Sequence, residues 1–129
     1  MKKLLTVFSI FLLMGTIAFA QKAEVIYFKA DLGCCRERAC NALEKDIKSI
    51  IESHFNERDV QFVTVKISDD ANKELVEKHN AKSQTVVITA KKRRSETTVD
   101  VSDIVRAYSR NRDKTELEKE LIAKINDII

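Results

Sequence analysis

An α/β fold is expected, with a central four-stranded mixed sheet (β-α-β-α-β-β-α) flanked by helices. Three observations predict it. Short runs rich in β-branched and aromatic residues, "AEVIYFKA" (23–30), "VQFVTVKIS" (60–68), "QTVVITA" (84–90) and "ETTVDV" (96–101), read as strands. Between the first two, the apolar positions switch to helical spacing. After residue 20 the chain holds one glycine, Gly33, and no proline, so long regular elements are expected rather than loops or linkers.

Each element has its own signal. The first run is short and apolar, as a buried strand is. Over 35–55, Cys40, Leu43, Ile47, Ile50, Ile51 and His54 line one helical face, while Glu44, Lys45, Lys48 and Glu52 fall elsewhere. In the second strand Val60, Phe62 and Thr64 alternate with Gln61, Val63 and Val65, and the long helix before it makes it parallel to the first. "DDANKELVEKHN" (69–80) offers Asp70 as an N-cap and sets Leu75, Val76 and His79 on one side of a short helix. "KKRRS" (91–95) is an exposed turn that folds the fourth strand back on the third. The tail holds a short helix near 104–108. A clearer one follows, with Asp113 and Glu116 as a capping box and Leu117, Leu121, Ile125 and Ile128 as its stripe. A parallel strand–helix–strand unit followed by an antiparallel hairpin is the plan of the thioredoxin fold. Its active site lies where the first strand meets the first helix.

The opening "MKKLLTVFSIFLLMGTIAFAQ" has Lys2 and Lys3, an apolar run and the small-x-small junction Ala18-Phe19-Ala20. That is the anatomy of a secretory signal peptide over 1–20, leaving one domain over 21–129. Export to a periplasmic or extracellular compartment is expected, with membrane contact only through the leader. The 23 basic and 20 acidic residues fall to 21 and 20 once Lys2 and Lys3 leave. So balanced a surface gives no reason to bind nucleic acid.

All three cysteines lie in "DLGCCRERAC" (31–40). A thiol attacks a disulfide only as the thiolate, and the positive end of a helix stabilises that anion. Arg36 and Arg38 add charge nearby, which Glu37 partly offsets. Cys34 and Cys35, following Gly33, are candidates for an exposed nucleophile. Cys40 begins the apolar stripe and suits the resolving role. Five residues of continuous helix separate Cys35 from Cys40 by about 7.5 Å of rise, beyond the roughly 7 Å limit for bridged Cα atoms. A bond between them therefore requires 36–39 to unwind. Three chemistries remain open: thiol–disulfide exchange with a protein or small-molecule partner, an inert stapling disulfide with one thiol left over, and capture of a soft metal or metalloid by the three sulfurs. A single glycine after residue 20 leaves no room for a glycine-rich nucleotide loop, so no cofactor is expected.

Other candidates have plainer readings. His54 and His79 read as helix-terminal or packed histidines. The run Lys91-Lys92-Arg93-Arg94 reads as a solvated turn that discourages edge pairing. Tyr27 and Phe28 read as core.

The stretches "VIYFKADLGCCRERACNALEKDIKSIIESHF" and "VQFVTVKISDDANKELVEKHNAKSQTVVI" resemble exported thioredoxin-like proteins of the nitrophenyl-compound nitroreductase subunit ArsF type. The resemblance implies a cysteine pair at the start of the first helix. Its second member matches Cys40, Glu37 occupies the place of the first, and Cys34 or Cys35 would substitute from a lengthened loop. Gln84 stands where the wider superfamily has a cis-proline. Nitro reduction itself rests on a flavin or another carrier. The resemblance therefore implies an accessory electron-transfer or thiol-maintenance role, and a thiol–disulfide oxidoreductase if the chain is an enzyme.

Overall fold

In the computed structural model, residues 22–31 and 34–129 are described, with only the backbone at 34 and 35. The expected leader over 1–20 lies outside the described residues. The elements are β1 (Ala23–Lys29), α1 (Cys34–His54), β2 (Val60–Lys66), a 3₁₀ turn (Asp70–Asn72), α2 (Lys73–Lys78), β3 (Val86–Lys92), β4 (Ser95–Asp100), α3 (Ser102–Asn111) and α4 (Lys114–Ile128). The described residues form an α/β fold with one four-stranded mixed sheet, ordered β2-β1-β3-β4, and four α-helices.

β1 pairs parallel with β2 and antiparallel with β3, and β3 pairs antiparallel with β4. The period of two along each strand sorts side chains between two cores. Ala23, Val25 and Tyr27 of β1, Val60 of β2, and Val86, Ile88 and Ala90 of β3 face one side. There they pack with Leu43, Ile47, Ile50 and Ile51 of α1, Val105 and Tyr108 of α3, and Leu117, Leu121 and Ile125 of α4. The opposite side is smaller: Ile26, Phe28, Val65 and Val87, with Leu75 and Val76 of α2 lying half-buried on them.

Three local expectations are corrected. His54 is exposed rather than part of the buried α1 face, because it lies at the last turn and its Nε2 meets Glu118 of α4. Asp69, not Asp70, caps the 3₁₀ turn, its carboxylate accepting from the Ala71 N–H at 3.1 Å. Lys91 and Lys92 belong to β3, and Arg93 alone takes the left-handed turn conformation, at φ 54°. The capping box of α4 forms by half. Asp113 accepts from the Glu116 N–H, but the Asp113 N–H donates to Asn111 Oδ1 rather than to Glu116.

A single carboxylate of α1, Asp46, reaches both tail helices. Asp46 accepts from the Tyr108 hydroxyl at 2.6 Å and from Lys114 Nζ at 3.4 Å.

Candidate functional site

α1 begins at Cys34, directly after the two undescribed residues 32–33, at the carboxyl end of β1. In a sheet with a parallel pair this end is where ligands and reactive groups gather, because the helix that follows the strand points its N–H groups there. Cys34 and Cys35 occupy the first two helical positions. Their side chains lie outside the described residues. Arg36, Glu37 and Arg38 are exposed on the same turn.

Cys40 is a free thiol, 1 % exposed, and begins the buried face of α1 as its place in the apolar stripe requires. Two groups fix it. The Tyr27 hydroxyl donates to the Cys40 carbonyl at 3.2 Å. The Gln84 amide Nε2 donates to Cys40 Sγ at 3.4 Å. Gln84 reaches this position because its backbone turns left-handed just before β3, at φ 65°. The turn is held by β1: the Gln84 N–H donates to the Phe28 carbonyl at 3.0 Å, and the Phe28 N–H to the Thr85 carbonyl at 2.9 Å. Tyr27 is wholly buried. That burial, the charge a Cys40 thiolate would carry, the Cys40 hydrogen bond and Glu44, in that order, raise its hydroxyl well above the usual tyrosine range.

One turn beyond Cys40, Glu44 lies between two strands. Its Oε2 accepts from Lys29 Nζ at 3.1 Å and its Oε1 from the Thr64 hydroxyl at 2.6 Å. The Lys29 and Glu44 side chains are 19 % and 23 % exposed, so the pair is shielded more than a surface ion pair is. At the rim, the Ser68 hydroxyl donates to Asp31 Oδ2 at 2.6 Å and ties the ends of β2 and β1 together.

The fold thus brings Cys40, Tyr27 and Gln84 to one point beside the helix start that carries Cys34 and Cys35. It does not bend the chain to bridge them: 36–39 is helical throughout, so Cys40 stands about 7.5 Å along and roughly 140° around from Cys35. Lys29, Glu44 and Thr64 are not among the site residues the sequence points to. A signal for them existed, since Lys29 shares the helix-facing parity of Val25 and Tyr27, and Glu44 lies four residues from Cys40. Among the described residues no three His, Cys, Asp or Glu side chains converge as a metal site. No helix among them is long and apolar enough to cross a membrane.

No protein-family model matches the chain, and no curated protein matches it. Among solved structures, one described as "Structure of a malarial protein" is similar at 22 % identity over 62 % of this chain and 81 % of that one, with a TM-score of 0.42.

Proposed function

We propose that the chain is an exported thioredoxin-like protein that exchanges disulfides with a thiol or disulfide partner through Cys34, Cys35 and Cys40. The observation that carries this reading is the free, fully enclosed Cys40 thiol beside the helix start that bears the other two cysteines, at the carboxyl end of β1. Sheet order β2-β1-β3-β4, with α1, α3 and α4 on one face and α2 on the other, supports the thioredoxin-like plan.

The chemistry runs in two steps. A Cys35 or Cys34 thiolate attacks a partner disulfide, forms a mixed disulfide and expels one partner thiolate. Cys40, as thiolate, then attacks the protein sulfur of that bond, expels the second partner thiolate and closes an intramolecular disulfide. Two electrons pass to the partner, and the two thiol protons go to the thiolates released. The second step requires the first turn of α1 to open and Gln84 to withdraw from the Cys40 sulfur. Arg36 and Arg38 favour the attacking anion. An inert staple through Cys40 fits less well, because Cys40 is unbridged.

The test is trapping with Cys40→Ser in the compartment where the protein resides. A mixed disulfide through Cys34 or Cys35 is expected, as is a reduction potential above roughly −300 mV. No covalent partner, together with wild-type behaviour of all three single-cysteine variants, would overturn the reading.

A further inference from the structure

The two faces of the sheet are covered unequally. Three helices close one, whereas on the other α2 buries none of its residues completely. Three contacts seat α2. Leu75 and Val76 lie on the smaller core, Lys78 Nζ meets Glu96 Oε1 at 2.9 Å, and His79, at the end of the helix, packs its ring on Phe28. The ring centroids are 5.8 Å apart at 53°. His79 Nε2 is the one buried side-chain nitrogen or oxygen among the described residues that has no hydrogen-bond partner.

A neutral imidazole can leave a ring nitrogen as a bare acceptor. Protonation turns it into a charged donor that needs an acceptor, and the Phe28 ring gives it only weak attraction. The charged groups around it are few. Lys78, beside it, opposes protonation; Glu96 and Asp100, from β4, favour it. Burial is the largest influence and, with Lys78, outweighs the two acids, so His79 is held below the usual imidazole range.

We infer that His79 is an acid-sensitive latch: neutral, it seats α2 on the sheet, and protonated, it releases α2 and uncovers Phe28. The sign follows from linkage. A lowered value in the folded state gives stability that is complete above the ordinary imidazole value and is lost as pH falls through the folded one. Because α2 has little buried surface of its own, release is local and leaves the large core intact. The latch does not depend on the thiol chemistry.

Amide hydrogen exchange on the protein, at about pH 7.5 and about pH 5, tests this after correction for intrinsic rates. The reporters are the His79 N–H, bonded to the Leu75 carbonyl, and the Ala81 N–H, bonded to the Val76 carbonyl. Both should lose about tenfold protection in acid while β1 and β3 keep theirs. His79→Phe should hold its protection at both pH values, and Glu96→Gln should still show the loss. Equal protection at both pH values, the same acid loss in His79→Phe, or a wild-type His79 imidazole that titrates by NMR at or above its ordinary value would each overturn the latch.

Discussion

The Gln84 side-chain amide donates to the Cys40 sulfur across 3.4 Å, from a backbone at φ 65°. For a residue with a Cβ that conformation costs about 1 kcal/mol or more, and the hydrogen bonds to Phe28 hold it in place. The amide is therefore a fixed cover on the thiol. With Cys34 and Cys35 both replaced by serine, Gln84→Ala should speed alkylation of Cys40 by a small neutral reagent about fivefold, the worth of one modest hydrogen bond. An unchanged rate would show that the helix alone shields the sulfur.

Tyr27→Phe removes the hydroxyl that holds the Cys40 carbonyl and should cost about 1 kcal/mol in urea unfolding at neutral pH. Its pH dependence is more telling. A raised tyrosine value means that the folded state keeps its proton after the unfolded state has lost it, so stability is full below about pH 10 and falls as pH rises above it. The Tyr108 hydroxyl, raised chiefly by its bond to Asp46, acts in the same direction. Alkaline unfolding monitored by circular dichroism should move to higher pH in Tyr27→Phe relative to its own neutral stability.

Glu44 bonds two strands from one helix, so its loss leaves Lys29 and Thr64 without their partner. Glu44→Ala should destabilise by about 1–3 kcal/mol, and Thr64→Val by less. A double-mutant cycle of Glu44→Ala with Lys29→Met should show coupling, measured by chemical denaturation. Additive effects would place the stabilisation in packing rather than in the ion pair.

Leu121 is wholly buried where α4 meets the large core. Leu121→Ala should cost about 2–5 kcal/mol, depending on how far the cavity collapses. The half-buried Ile128→Ala control, at the fraying end of the same stripe, should cost less by thermal melting.

Much of the fold was legible because burial imposes period. The alternation in "VQFVTVKIS" separates Val60 and Phe62, on the large core, from Val63 and Val65, on the small one. The α1 stripe from Cys40 to Ile51 is buried as its spacing requires. The errors fall at ends, where pattern gives way to local geometry. His54 continues the spacing but lies beyond the sheet, and neighbouring aspartates at 69 and 70 offer equal capping chemistry. At the candidate site, the position of the cysteines at the head of α1 was readable from the order of elements. The Gln84 contact and the Glu44 cluster were not, because they join residues 44, 15 and 20 positions apart whose meeting depends on strand order.

The carboxylate of Asp46 reaches partners 62 and 68 positions downstream, and the large core closes only when α4, the last of the described helices, packs on it. During synthesis, the apolar side of α1 must therefore wait until α4 has left the ribosome. A chain stopped at Arg112 would lack only α4 and would leave the α1 face that it covers open to water. Emergence of α4, rather than of the sheet, sets the moment at which the large core can close.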